Sequence, residues 1–311
     1  MTGQPLPREL TPRTEDRRFR LALPTAARSF LRPRPPTADS NRRTPSHTTA
    51  SLIAQLRGLG LEEGQTILVH TSLRAIGRME SGPATLVDAL LTALNPRKGT
   101  VVVPTFTSSN STTSHAYREA IRDLSGEEVD RHHDDMPAFE ARTTPSVECG
   151  RFSEEVRTHR GSVRSDHPQT SFAALGAHAR RLMADHPRDH HLGMLSPLGK
   201  MVESKAMVLL LGVGYDRCSA FHLAEYSYTE QPPTMLYRCK VSDAGKAAWF
   251  QYSDVLLDDS DFARCGSDMV RDVKVVSGLV GDADSRAFPM ADAVQFAEQW
   301  FREKRRRIEK G

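Results

Sequence analysis

The spacing of apolar residues along the first third of the chain predicts alternating helices and strands. Apolar positions between residues 51 and 59 fall on one helical face, and Thr66–His70 is then a short apolar run typical of a buried strand. A helix is predicted over Pro83–Leu94, because proline is favoured in the first helical turn and leucines follow at helical spacing. Thr100–Phe106 is the next predicted strand. Strand, helix and strand at this spacing indicate a parallel pair with a right-handed crossover.

The remainder of the chain continues this pattern less regularly. Residues 107–148 are rich in Ser, Thr, Asp and His, and we expect a long polar excursion over one end of the sheet. A helix is predicted over Phe172–Met183 and a third, buried strand over Ala206–Val213. Loose alternation over Tyr237–Tyr252 predicts an antiparallel hairpin, and the apolar spacing of Met290–Phe301 predicts an amphipathic closing helix.

Positive charge is concentrated at the two ends of the chain. Residues 1–46 contain ten Arg, four acidic residues and eight of the 19 Pro, a composition that predicts a disordered extension. Residues 302–310 hold six basic and two acidic residues. Between them, residues 47–301 carry 26 basic and 33 acidic residues. An acidic body argues against a nucleic-acid-binding face and suits a cationic ligand.

Apolar runs and cysteine positions indicate the compartment. The longest mostly apolar run, Ala206–Val213, is far shorter than the ~20 residues that a membrane-spanning helix needs. The four cysteines are widely separated, with no Cys-x-x-Cys pair, which argues against a zinc ribbon and a secreted disulfide scaffold. The N-terminus lacks the apolar core of a signal peptide. We therefore predict a cytoplasmic protein.

Three loops that follow predicted strands are rich in small and hydroxyl residues. They are His70–Arg74, Thr105–Ser108 and Gly212–Asp216. Ligands of open α/β sheets bind beyond the carboxyl ends of the strands, so these loops are a candidate binding site. Gly212-Val213-Gly214 lacks the third glycine of a dinucleotide-binding loop, which disfavours a nicotinamide cofactor.

Three residues are candidates for acid–base chemistry. Pro168 restricts the backbone of His167 to an extended conformation, and a fixed histidine beside hydroxyl residues suits a general base, although plain turns show the same pattern. His222 and Glu225 are three positions apart and would share one helical face, as would an ordinary surface pair.

Other catalytic motifs are missing from the sequence. The two adjacent histidine pairs are poor chelators, and there is no His-Glu-x-x-His motif, so no metal site is predicted. There is no Gly-x-Ser-x-Gly elbow and no cysteine beside a histidine. This favours direct transfer over a covalent intermediate.

Several segments, in order along the chain, resemble the motifs of the aminoglycoside 3-N-acetyltransferase (antibiotic N-acetyltransferase) family. They are Val69–Gly77 (VHTSLRAIG), Thr143–Pro145 (TTP), Arg164–Pro168 (RSDHP) followed by Phe172–Gly176, Ser196–Pro197, and Leu209–Val213 followed by His222–Glu225 (HLAE). The resemblance covers about residues 48–300 and implies one α/β catalytic domain over residues 47–311, with a central mixed sheet flanked by helices.

The resemblance also implies an activity and a site. An acetyl group would pass from acetyl-coenzyme A to the 3-amino group of an aminoglycoside, giving antibiotic resistance. We predict His167 as the base, Glu225 as the group that orients it, and His222 as a residue that shapes the site. Carboxylates of residues 107–148 and 254–261 would bind the cationic substrate. The predicted coenzyme contacts are Thr71, Ser72, Leu73, Arg74, Thr105, Phe106, Gly212 and Val213, with Thr71, Ser72 and the Ser72–Leu73 amides also candidate oxyanion donors.

Two other functions remain open at this point. One is acetyl-coenzyme A-dependent acetylation of a different amine, such as a biosynthetic intermediate. The other is an inactive homologue that only binds ligand, against which the presence of both His167 and Glu225 argues. We expect a monomer or homodimer without a metal, a nucleic-acid partner or a membrane partner.

Overall fold

The computed structural model describes residues 46–308, and a mixed β-sheet forms its centre. The strands within this part of the chain are β1 (Thr66–Thr71), β2 (Thr100–Pro104), β3 (Val163–Arg164), β4 (Phe172–Gly176), β5 (Met207–Leu211), β6 (Thr234–Asp243), β7 (Lys246–Val255), β8 (Val276–Val280) and β9 (Ala283–Pro289). Seven of them form one sheet in the order β3-β4-β2-β1-β5-β9-β8, and β6 and β7 form a separate hairpin.

Helices cover both faces of this sheet. Those within residues 46–308 are α1 (Thr49–Gly58), α2 (Leu73–Ile76), α3 (Pro83–Leu94), α4 (His115–Ile121), α5 (Gly126–Asp135), α6 (Gly150–Thr158), α7 (Ala179–Met183), α8 (Pro197–Glu203), α9 (Phe262–Met269) and α10 (Met290–Ile308). Two 3₁₀ segments, Tyr215–Arg217 and Ser219–Tyr226, follow β5. The helices of this region are all too short or too polar to cross a membrane.

The central strands are parallel and the outer strands are antiparallel. β1 pairs in parallel with β2 on one side and with β5 on the other. β4 and β9 pair antiparallel with β2 and β5. The predicted mixed α/β architecture is therefore confirmed, as is the parallel β1–β2 pair. The predicted hairpin is also confirmed, with Tyr237 opposite Tyr252, and the predicted closing helix extends to Ile308.

Alternating side chains of the strands enter two hydrophobic cores, as the strand geometry requires. Leu68, Val102 and Leu210 face a core closed by α7, α8, α9 and α10. Ile67 and Val69 face the other core, closed by α1, α3 and α6. Because helices cover both faces of the sheet, the loops beyond the strand ends are the region left for a ligand.

The helix predicted over Phe172–Met183 is wrong. Phe172–Gly176 is strand β4, hydrogen-bonded between β2 and β3, and only Ala179–Met183 is helical. Residues 172–175 are all buried, so their continuous apolar run carries neither helical nor strand periodicity. Gly176 ends the strand with φ of 122°, where it approaches the carbonyl of Gly99 too closely for a side chain.

The polar excursion over residues 107–148 contains helices α4 and α5, which the sequence analysis missed. Helix α5 has no buried residue, so it lacks the apolar stripe that predicts a helix. The predicted N-terminal extension, residues 1–46, lies outside the described residues except for Ser46, and it stays a prediction.

Candidate active site

A cavity of about 560 Å³ opens beyond the carboxyl ends of β1, β2 and β5. The loops predicted to form a site all contribute to its wall, through Thr71, Phe106 and Val213. Helix α6 and the 3₁₀ segment after β5 close its sides, through residues such as Ser153 and His222. The position agrees with the rule that ligands bind beyond the carboxyl ends of parallel strands.

The other predicted coenzyme contacts do not line this cavity. Ser72 caps α2, its hydroxyl accepting from Ala75 N, while its own N–H donates to the carbonyl of Leu211 at 2.9 Å. Its amide is therefore not free to hold an oxyanion. Thr105 is fully buried and its hydroxyl bonds to Ser171. Leu73, Arg74 and Gly212 are the other three predicted contacts that do not line the cavity. These coenzyme contacts stay predictions.

His222 and Glu225 form a close pair at the cavity wall. His222 Nδ1 lies 2.6 Å from Glu225 Oε2. Both residues belong to the 3₁₀ segment Ser219–Tyr226, in which side chains three positions apart eclipse one another. The Glu225 side chain is fully buried, whereas that of His222 is 13% exposed and lines the cavity. Within the described chain Nε2 of His222 has no partner, so this nitrogen is left for a ligand.

The second oxygen of Glu225 is also held. Oε1 accepts from Arg305 Nη1 at 2.7 Å and from the N–H of Asp258 at 2.9 Å. Arg305 also donates to both carboxylate oxygens of Asp261 and stacks on Phe301, 3.8 Å from its ring centroid. Burial alone would lower the pKa of Arg305, but its hydrogen bonds to Asp261 and Glu225 raise it above the ordinary value. Asp261, Arg305, Glu225 and His222 thus form one connected chain that ends at the cavity.

The sequence analysis missed Arg305. It lies 80 residues from Glu225 in a run of basic residues at the end of α10, where one arginine looks like its neighbours. Only the packing of α10 against the 3₁₀ segment distinguishes it.

His167 has a different setting. Its side chain has no exposed surface, and it does not line the cavity. Nδ1 accepts from the N–H groups of Gln169 at 3.1 Å and Thr170 at 2.9 Å. The rings of His186 and His191 lie 4.8 and 4.7 Å away. Burial, followed by the nearby His191 and His186, lowers the pKa of His167 well below its ordinary range.

The structure does not bring His167 and Glu225 together. Glu225 is held by His222, Arg305 and Asp258 instead, so the predicted orientation of His167 by Glu225 is not observed. His167 as the base stays a prediction. A base must reach the reacting amine, and the geometry therefore favours His222.

Carboxylates stand at the cavity wall. Glu148 and Asp259 come from the two acidic segments in which substrate ligands were expected, and Asp216 comes from the loop after β5. Asp216 forms an ion pair with Arg217, whose Nε lies 3.2 Å from Oδ2 of Asp216. Three carboxylates on one cavity complement a polycationic ligand. Residues 46–308 contain no cluster of His, Cys, Asp or Glu suited to hold a metal ion.

A histidine with its second nitrogen facing a cavity, backed by a buried carboxylate at the loop edge of an α/β sheet, is typical of enzymes that use general base catalysis. A model of the aminoglycoside 3-N-acetyltransferase family matches residues 68–302, and the chain belongs to this family of acetyltransferases.

Curated relatives span most of the chain. The aminoglycoside N(3')-acetyltransferase-like protein YokD of Bacillus subtilis, derived from the prophage SPbeta, is 33% identical over 256 residues, 82% of this chain and 92% of the relative. Aminoglycoside N(3)-acetyltransferase III of Pseudomonas aeruginosa is 30% identical over 260 residues, 82% of this chain and 93% of the relative.

Solved structures share the fold. The crystal structure of YokD from Bacillus subtilis superposes with a TM-score of 0.79 at 31% identity, over 85% of this chain and 96% of that one. AAC-VIa bound to sisomicin has a TM-score of 0.71 at 29% identity, over 83% of this chain and 98% of that one. AAC-IIIb in a binary complex with CoASH has a TM-score of 0.73 at 28% identity, over 84% of this chain and 98% of that one.

Proposed function

We propose that this protein transfers an acetyl group from acetyl-coenzyme A to the 3-amino group of an aminoglycoside, with His222 as the general base. The observation that carries the proposal is the His222–Glu225 pair at the wall of the cavity. The names of the curated relatives support the reaction. The sisomicin and CoASH complexes of structural neighbours support the two substrates. Inactivation of the antibiotic would confer resistance.

The chemistry needs a base because an aminoglycoside amine is an ammonium at neutral pH and cannot attack until it loses a proton. His222 Nε2 accepts this proton, since Nδ1 is engaged by Glu225. Glu225 fixes the tautomer and orientation of the ring and stabilises the imidazolium that forms. Arg305 and the N–H of Asp258 hold Glu225 in turn, so the carboxylate does not rotate away from His222.

The transfer proceeds by direct attack. After His222 has passed the ammonium proton to solvent, the neutral amine nitrogen forms a bond to the thioester carbon, and the π electron pair of the carbonyl moves onto its oxygen. His222 accepts the second proton, which this nitrogen loses as it becomes an amide nitrogen. When the C=O bond reforms, the C–S bond breaks and its electron pair leaves with the coenzyme sulfur. The proton held by His222 passes to this thiolate, so that the amide and free coenzyme A are the products. Glu148, Asp216 and Asp259 would hold the other ammonium groups of the acceptor.

A coenzyme A release assay with a panel of aminoglycosides tests the proposal. We expect release with aminoglycosides that carry a free 3-amino group, and NMR of the product should place the new acetyl group on that nitrogen. A matched aminoglycoside already acetylated at this nitrogen should give no release. Acetylation of another amine alone would favour a biosynthetic acceptor. Binding of acetyl-coenzyme A without turnover of any amine would indicate an inactive homologue.

We predict that Arg305→Met lowers kcat about tenfold and moves the acidic limb of the pH–rate profile to higher pH. Loss of the guanidinium removes a positive charge beside Glu225, so the negative charge of this carboxylate acts more strongly on the imidazole of His222. The variant also takes the guanidinium partner from the buried Glu225, whose remaining contacts are His222 and the N–H of Asp258, and should lower the free energy of unfolding by about 3–5 kcal/mol. Arg305→Lys is the matched control, because it keeps the charge. An unshifted acidic limb in Arg305→Met would show that Arg305 serves only the fold.

A further inference from the structure

His70 lies at the carboxyl end of β1 and lines the same cavity as His222, but the reaction as described does not use it. We propose that His70 is a second catalytic histidine, which donates its Nδ1–H to the carbonyl oxygen of the thioester. The inference rests on the acetyl transfer proposed above. It assigns to a neutral imidazole the stabilisation of the charge that develops on this oxygen.

The hydrogen bonds of His70 fix its tautomer. The backbone N–H of Ser219 lies 3.4 Å from His70 Nε2, and the Ser219 hydroxyl lies 3.2 Å from the same nitrogen. A backbone N–H can only donate, so Nε2 is an acceptor and the ring proton of a neutral His70 is on Nδ1. Nδ1–H is therefore a donor, and no acceptor for it is found within residues 46–308.

The surroundings of His70 keep the ring neutral. The side chain is 8% exposed. Burial, followed by the positive charges available on His222 and Arg217, lowers the pKa of His70 to about 3. With its lone pair at Nε2 engaged by Ser219, His70 is a poor base at neutral pH. A neutral imidazole N–H that needs no rearrangement is a suitable donor to a developing oxyanion.

Nδ1 of His70 keeps exposed surface, and the residue lines the cavity. This nitrogen is not among the polar atoms that are sealed from solvent without a partner, and the cavity also contains the free Nε2 of His222. Two histidines with complementary free nitrogens thus face one space, one able to accept a proton and the other able to donate a hydrogen bond. The amide of Ser72, an alternative donor, is already bonded to Leu211.

The role of His70 falls within a balanced step. As the acceptor nitrogen bonds to the thioester carbon and His222 takes the nitrogen's proton, the carbonyl π pair moves onto oxygen. This oxygen accepts the hydrogen bond from Nδ1–H of His70, which keeps its proton throughout. Collapse returns the pair to the C=O bond and expels the coenzyme A thiolate, so His70 undergoes no net change.

Two isosteric substitutions separate this role from a structural one. The side-chain amide of His70→Asn occupies the position of Nδ1 and retains a donor there, but it cannot reach Ser219. The amide of His70→Gln occupies the position of Nε2 and retains the contact with Ser219, but it provides no donor at Nδ1. We expect His70→Gln to lower kcat by ~10²–10³-fold, with little change in KM for acetyl-coenzyme A, and His70→Asn to retain substantially more activity.

The opposite order of activities would overturn the inference. If His70 only anchors Ser219, His70→Gln should match or exceed His70→Asn in kcat. Should either variant fail to fold, ¹⁵N NMR of the wild-type enzyme with labelled histidine decides. The inference requires a proton on Nδ1 of His70 and no titration between pH 7 and 5, whereas a proton on Nε2 or an imidazolium would refute it.

Failure of the inference is distinguishable from failure of the proposed function. Wild-type enzyme that acetylates an aminoglycoside and loses this activity in His222→Ala, but is insensitive to His70→Gln, would reject only the role of His70. Wild-type enzyme that releases no coenzyme A with any amine would reject the proposed function, and the role of His70 with it.

Discussion

Replacing His222 with alanine is expected to lower kcat by ~10²–10⁴-fold, which is the usual contribution of a positioned acid–base group. The side chain lines the cavity, and Nε2 is its free nitrogen. Affinity for acetyl-coenzyme A should change little, because the variant removes a proton acceptor rather than a binding surface. The acidic limb of the pH–rate profile should disappear, since this limb reports protonation of the base.

His167→Asn is the matched control for this experiment. The asparagine side-chain oxygen can occupy the position of Nδ1 and accept the N–H groups of Gln169 and Thr170, so the local turn should survive. If His222 is the base, the loss of kcat in His222→Ala should exceed that in His167→Asn by at least tenfold. If His167 were the base, the order would be reversed and the acidic limb would vanish in His167→Asn instead.

The parts of the fold with strong local patterns were predictable from the sequence. Helices α1 and α3 have apolar stripes at helical spacing, and strands β1 and β5 are short apolar runs. The sequence analysis placed all four correctly. β4 was mistaken for a helix because both of its faces are buried, which removes the alternation. Helix α5 was missed for the opposite reason, because none of its residues is buried.

The position of the cavity was also predictable, but the contacts between the residues around it were not. Strand-end loops and the three-residue spacing of His222 and Glu225 are local features that a sequence displays. The burial of His167 is not local, since it depends on the loop that carries His186 and His191 and on Tyr252 of the hairpin, whose ring centroid lies 6.0 Å away. The contact of Arg305 with Glu225 likewise requires α10 to pack against the 3₁₀ segment.

A steep loss of stability on mild acidification is the second large effect that we expect. His167, His186 and His191 pack together in the interior, and His70 is buried at the cavity wall. Burial is the main cause of a lowered pKa in all four, to about 4 for His186 and about 3 for His70. In His167 and His70 the lone pair that would take the proton already accepts a hydrogen bond, as where His167 Nδ1 accepts from the N–H of Thr170 at 2.9 Å.

The sign follows from proton linkage. In the unfolded chain these histidines have a pKa near 6.5 and bind protons below it, whereas the folded protein does not bind them until much lower pH. The unfolded state is therefore favoured as the pH falls below about 6.5. Each such histidine lowers the free energy of unfolding by ~1.4 kcal/mol per pH unit. The four histidines together should therefore lower the free energy of unfolding by several kcal/mol between pH 6.5 and 5.

Guanidinium denaturation at pH 7.5, 6.5, 5.8 and 5.0 measures this slope. The window excludes the carboxylates, because a lowered carboxylate pKa, as at Glu154, affects stability only as the pH falls below about 4.5. His186→Gln should be less stable than wild type at pH 7.5, because the packing changes. Its free energy of unfolding should fall less steeply with decreasing pH, by the slope that corresponds to about one proton, since one buried histidine is gone. A wild-type free energy of unfolding that stays constant from pH 7.5 to 5.0 would mean that the interior accepts protonated histidines. The same slope in wild type and His186→Gln would exclude His186 as a contributor and leave the effect to the other three.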